Sequence, residues 1–136
     1  MIYELLALSE VLKAVESTGT EVRYHAPECR EEVAGFYRLN ATVDRLVICP
    51  RNQHNHSDLF DTIRHEAVHV VQACNGWDTL MPVSNYAEAV TDEIKDSLSD
   101  YPNDKQIQNI ETEAYVLAKH LNEKEVVQLI NKYCFK

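Results

Sequence analysis

Glycine and proline are scarce in this chain, three and four among 136 residues. That scarcity argues against collagen-like, low-complexity and long flexible linker architectures. No run approaches the roughly 18 consecutive apolar residues that a membrane-spanning helix needs. The first residues, Met1 to Glu10, carry acids and no basic cluster ahead of an apolar stretch, so they do not read as a secretory leader. Bases are outnumbered, 13 Lys and Arg against 22 Asp and Glu, and the net charge of −9 repels a phosphate backbone. These absences predict a cytoplasmic protein with neither a nucleic-acid nor a membrane partner. The four cysteines, Cys29, Cys49, Cys74 and Cys134, show no C-x-x-C spacing. In a reducing compartment they are expected as buried thiols.

What is present fits one domain, residues 1–136, with no repeat and no linker. Leu5, Leu8, Leu12 and Val15 recur at helical spacing and predict a helix from about Ile2 to Ser17. A short strand follows over Glu21 to His25. Gly35–Leu39 and Arg45–Cys49 read as the arms of a β-hairpin, with turn chemistry in Asn40–Asp44. Helices are then expected over Asp58–Cys74, Asn85–Leu98, Lys105–Leu121 and Glu123–Tyr133. Ser57 or Asp58 can cap the first of these, and Asn75-Gly76 can stop it. The order predicts an α+β fold: a mostly helical core with a small antiparallel sheet or hairpin packed on one helix.

The chemistry is concentrated in His65-Glu66-Ala67-Val68-His69, an H-E-x-x-H sequence. On a helix, positions i and i+4 lie only ~40° apart around the axis. Both imidazoles can therefore reach one zinc ion, leaving positions for a third ligand and a water. Glu66 lies ~100° round from His65 and can take a proton from that water. Phe60, Ile63, Ala67, Val70, Val71 and Cys74 form the apolar stripe of the same helix, while His65, His69 and Gln72 fall on its far side. The helix is thus expected to turn its back to the core and its histidines to a cleft.

Two glutamates compete for the third ligand. Glu111 borders the apolar stripe of its helix (Ile107, Ile110, Ala114, Leu117, Ala118, Leu121) on the side of Ala114 and Ala118. Small residues there let two helices approach, which a carboxylate needs to share a metal. Glu113 borders the opposite edge, beside Ile110 and Leu117, and is the poorer choice. Glu88 points away from the stripe of its own helix, and Glu111 is preferred to it.

On these residues the chain resembles the gluzincins, zinc peptidases with H-E-x-x-H and a Glu ligand on a later helix. Glu111-x-Glu113-Ala114 looks like the E-x-x-A signature of minimal members, which implies Glu111 as ligand. Ala87-Glu88-Ala89-Val90-Thr91-Asp92 looks like the thermolysin segment E-x-x-S-D, which implies Glu88 as ligand and Asp92 as the residue orienting a ligand histidine. The resemblance implies a zinc metallopeptidase acting on a peptide or protein substrate, with the second hairpin strand, Arg45 to Cys49, pairing with extended substrate. A peptidase also benefits from an oxyanion donor, for which Tyr115, Tyr86, Tyr101 and His120 are the candidates; His54 and His56, in the loop before the zinc helix, are candidate cleft residues but read first as ordinary exposed loop histidines. The competing reading is a catalytically degenerate binding module that keeps its zinc.

Overall fold

Apolar periodicity near the two ends of the chain brings them together. In the computed structural model, which describes residues 2–135, α1 (Ile2–Ser17) and α5 (Glu123–Cys134) pack on each other and on α2 (His56–Cys74). Leu8, Val11, Leu12 and Val15 of α1 meet Val126 and Ile130 of α5 in one buried cluster. Phe60, Ile63, Ala67, Val70 and Val71 of α2 belong to it, as their spacing predicts, together with Leu46 and Ile48 of the sheet. The side chain of Leu5, expected on the same stripe, lies outside the described residues. The architecture is the expected mostly helical α+β arrangement. Among the described residues, no helix is long and apolar enough to cross a membrane.

The sheet contains β1 (Glu21–Arg23), β2 (Gly35–Leu39) and β3 (Asp44–Ile48), in the order β1-β3-β2. β2 and β3 form the hairpin, Gly35 opposite Ile48 and Leu39 opposite Asp44. Asn40 shapes its turn by accepting from the backbone N–H groups of Thr42 and Val43. β1 then joins the other side of β3 in parallel, so the sheet is mixed rather than antiparallel. Leu46, Val47 and Ile48 are fully buried, the apolar run of a strand covered on both faces. The expectation that Arg45–Cys49 pairs with substrate is corrected here. β3 is central and its backbone groups are bonded on both sides; the unpaired edges belong to β1 and β2.

Helix α2 begins one residue after Asn55, whose side chain accepts from the Asp58 backbone N–H. It ends in a Schellman turn. Gly76 takes a positive φ of 74°, its N–H reaches Ala73 C=O, and Trp77 N–H reaches Gln72 C=O. The expected helix over Asn85–Leu98 is instead two pieces, a 3-10 helix at Val83–Ala89 and α3 at Asp92–Leu98. Thr91 separates them: it is extended, and its side chain caps α3 by accepting from Ile94 N–H. α4 (Lys105–His120) starts at the Asp104 cap and packs along α2. On its other side Val116 joins Tyr86 and Ile94 in a second, smaller cluster.

The cysteines depart from expectation. Cys29 is bonded to Cys49 and Cys74 to Cys134, and none is free. Spacing gave no hint because each pair is assembled by tertiary structure. The first ties the 3-10 helix Pro27–Glu31 to the end of β3, and the second joins the C-terminal ends of α2 and α5.

Candidate metal centre

The face of α2 opposite the core carries His65, Glu66, His69 and Gln72, and α4 covers much of it. All four are buried, and Glu111 of α4 is buried with them. The two imidazoles turn Nε2 toward each other at 3.1 Å. One oxygen of Glu111 lies 2.9 Å from His69 Nε2 and the other 3.3 Å from His65 Nε2. The bond lengths of tetrahedral zinc, ~2.0–2.2 Å to N and O, place neighbouring donors about 3.3 Å apart. One ligand atom from each of the three residues lies within 4.8 Å of the others, so the group could share one ion, and a donor set of two imidazoles and a carboxylate suits zinc.

Around the three donors the neighbouring groups set the protonation. Gln72 Oε1 lies 2.8 Å from His69 Nδ1, so Nδ1–H donates and the Nε2 lone pair is left for the cluster. Gln72 in turn donates to the Ile110 carbonyl and to Glu113. Burial alone would depress the His69 pKa, but the hydrogen bond to Glu111 and the charges of Glu66 and Glu111 raise it to about 9. Burial pushes the Glu111 pKa up, and the hydrogen bonds and charges of His65 and His69 overcome it and hold it at about 2. Both shifts favour a charged His69 imidazole beside a charged Glu111 carboxylate in the metal-free protein, and a metal ion would displace the proton on that imidazole.

Glu66 sits beside the cluster. Burial raises its pKa, with the charges of His69 and His65 and the backbone amide of Tyr37 opposing. The Tyr37 contact follows from the hairpin. Cys49 N–H bonds to Ala34 C=O, so by alternation Ala34, Phe36 and Arg38 bond across to β3. The backbone groups of Gly35, Tyr37 and Leu39 face the free edge of β2. Gly35 lets this strand approach α2: a Cβ there would stand 2.8 Å from Val47 O and 3.0 Å from Thr62 Cγ2.

His65 and Glu66 open into a cleft of about 520 Å³ between the start of β2, α2, α3 and the second half of α4. Tyr101 and Tyr115 line it, and the Tyr115 ring lies 4.4 Å from that of His65. Burial raises both phenol pKa values, so both stay protonated donors near neutral pH. His54 also lines the cleft, whereas His56 is exposed at the start of α2 beside Phe60.

Other sequence candidates lie elsewhere. Glu88 and Asp92 are exposed, on the 3-10 helix and at the start of α3, and neither joins the cluster. His120 is exposed at the end of α4. Tyr86 donates to Glu113 at 2.7 Å. Glu113 was passed over as a ligand, and sequence reasoning missed its role. It is fully buried and also accepts from the backbone N–H groups of Leu80 and Met81 and from Gln72. It fastens the loop after α2 to α4 and, through Gln72, braces His69. The only trace of this in the sequence is an acid one helical turn from Ile110 and Leu117.

Residues 5–135 match a family described as a domain of unknown function (DUF8637). No curated protein and no solved structure matches the chain.

Proposed function

We propose that this chain, which belongs to that family of unknown function, is a zinc-dependent hydrolase of peptide bonds resembling the gluzincins. His65, His69 and Glu111 are the metal ligands in this reading, and Glu66 is the general base. The observation that carries it is the convergence of two imidazole nitrogens and one carboxylate, 2.9–3.3 Å apart, with a second carboxylate beside them at the head of a cleft. When bound, zinc supplies Lewis acidity, polarising a carbonyl and bringing the acidity of water to about pH 7.

The chain's own residues supply the rest. Glu66 takes the proton of the attacking water and hands it to the leaving amine. Burial raises its pKa above the ordinary carboxylate value, which makes it a stronger base than an exposed glutamate. The phenols of Tyr101 and Tyr115 offer hydrogen bonds to the charge that develops on the carbonyl oxygen. The free edge of β2, with Tyr37 beside Glu66, offers backbone groups to an extended substrate.

Incubating zinc-loaded protein with a mixed peptide library, read by mass spectrometry, tests the reading. Cleavage is expected, and Glu66→Gln should slow it about 10²–10⁴-fold while keeping its zinc and melting temperature. A zinc-retaining binding module would give no cleavage and no difference between the two proteins. The paired cysteines suit an oxidising compartment better than the cytoplasm expected from the sequence.

A further inference from the structure

Trp77 stands where a glycine would sit more easily. It follows Gly76 in the turn after α2 and, like it, takes a positive φ, 58°. A glycine adopts that backbone freely, whereas a bulky side chain does so under strain. Such strain persists only where the surroundings enforce it, and it gathers at functional positions. The backbone here is clamped on both sides. Trp77 N–H donates to Gln72 C=O at 2.8 Å, and Trp77 C=O accepts from Gln106 Nε2 at 3.1 Å. The loop beyond is pinned by Asn75 Nδ2 on Thr79 C=O and by the Glu113 carboxylate on the N–H groups of Leu80 and Met81.

The indole held in this way does not serve the core. It is 41% exposed and belongs to neither buried cluster. Its ring lies instead 6.1 Å from that of His69 and 6.2 Å from that of Tyr37. Tyr37 is fixed too, its hydroxyl donating to Asp44 at 2.7 Å. The cleft reaches Gly35, His65 and Glu66 but not Tyr37, His69 or Trp77. Trp77 therefore flanks the metal centre on the side away from the cleft, and β2 leads from one to the other as it runs from Gly35 to Tyr37.

The register of β2 fixes what meets the ring. A peptide added to the free edge of β2 puts each side chain on the same face as that of its partner. Gly35 and Tyr37 share a face, and a Cβ at Gly35 would stand 3.6 Å from Glu66 Cγ, so this is the face turned to α2. The peptide residue opposite Tyr37 thus projects beside the Tyr37 ring, on the side of the indole. An aromatic or long aliphatic side chain gains most from two rings already held in place.

We propose that Trp77 is a specificity-determining residue, which with Tyr37 recognises an aromatic or long aliphatic side chain that a bound peptide carries opposite Tyr37. The proposal rests on the hydrolase reading for what is done to that peptide, but the binding it describes does not need turnover.

The test uses the full chain as its zinc-loaded Glu66→Gln variant, so that probes are bound and not cut. The probes are alanine–glycine peptides that differ only in one central residue: Phe, Leu, Ala or Glu. Anisotropy of their fluorescein-labelled forms is expected to show the Phe and Leu peptides binding about tenfold more tightly than the Ala peptide. The chain holds one tryptophan, so its emission reports this ring alone and needs no substitution at Trp77. The unlabelled Phe and Leu peptides should shift that emission to the blue. Adding Trp77→Gly, which suits the positive φ, should cut the preference below about threefold, with affinity for the Ala peptide unchanged. Equal affinity for all four peptides, a preference that survives Trp77→Gly, an unmoved emission, or no measurable binding overturns the proposal. Wild-type protein incubated with the same peptides separates the two readings. Cleavage without an apolar preference keeps the hydrolase and removes this inference; an apolar preference in binding without cleavage does the reverse.

Discussion

His69 and Gln72 lie one turn apart on α2, and the Nδ1–H of His69 donates to the Gln72 side-chain oxygen at 2.8 Å. Gln72 is itself fully buried and donates to Glu113 and to Ile110 C=O. The imidazole is therefore held in one tautomer and one orientation by a chain of hydrogen bonds that ends on α4. Gln72→Leu keeps the volume and removes the acceptor. Zinc affinity should fall about 10–100-fold, the usual effect of losing such a support. Competition against a chromophoric chelator reads it, and an unchanged affinity would mean that Gln72 only packs.

Glu113 should matter to stability more than any residue of the metal cluster. Its carboxylate accepts from Tyr86, Gln72 and two backbone amides, all within 3.1 Å. Glu113→Ala leaves those buried donors unmet, at a cost of about 3–5 kcal/mol. Urea unfolding with the disulfides intact should show that loss. A loss under about 1 kcal/mol would mean that water replaces the carboxylate freely.

Protons and a metal ion would compete at the cluster. The metal-free His69 pKa is raised to about 9, so this imidazole is charged at neutral pH. A raised folded-state value stabilises the metal-free protein fully below the unfolded pKa of about 6.5, and that contribution is lost as pH rises through about 9. Glu111 has the opposite sign: held at about 2, its contribution is present above the ordinary carboxylate range and lost as pH falls toward about 2. Zinc binding near pH 7.5 should therefore release about one proton. Calorimetry in buffers of different ionisation enthalpy measures the number. Release of none would show that His69 is neutral before the metal arrives.

The two disulfides should contribute unequally. Cys74–Cys134 spans 60 residues and Cys29–Cys49 spans 20. By loop-closure entropy the longer is worth roughly 4 kcal/mol and the shorter roughly 3. Replacing each pair by alanine and comparing urea midpoints should give that order. The Cys74–Cys134 pair also closes the end of α2, so its loss should weaken zinc binding less than it weakens the fold. Thiol alkylation of protein taken directly from cells reports the compartment: no labelled cysteine is expected, and full labelling would return the chain to a reducing environment.

How far the sequence disclosed this arrangement depended on the range of the signal. Two histidines four apart on a helix and the small residues Ala114 and Ala118 beside Glu111 are local patterns, and the structure brings those three side chains together. The core stripe of α2 was legible for the same reason. A single helix was expected over Asn85–Leu98, and the break at the extended Thr91, whose side chain caps α3, was not anticipated. Long-range features carried no such mark. The three residues of β1 do not announce that they pair in parallel with β3, so the central position of β3 was missed. Neither disulfide follows a spacing rule. Glu113 looked peripheral because its partners come from the loop after α2, the 3-10 helix and Gln72.

The most direct measurement is zinc stoichiometry together with zinc-edge X-ray absorption on purified protein and its Glu111→Gln and Glu88→Gln variants. One zinc per chain is expected in the wild type, with two imidazole nitrogens, oxygen from a carboxylate and no sulfur in the coordination shell. Glu111→Gln should lose the metal on mild dialysis, and Glu88→Gln should keep it. A wild type that holds no zinc, or a Glu111→Gln variant that holds it as firmly as the wild type, would contradict a centre built from His65, His69 and Glu111.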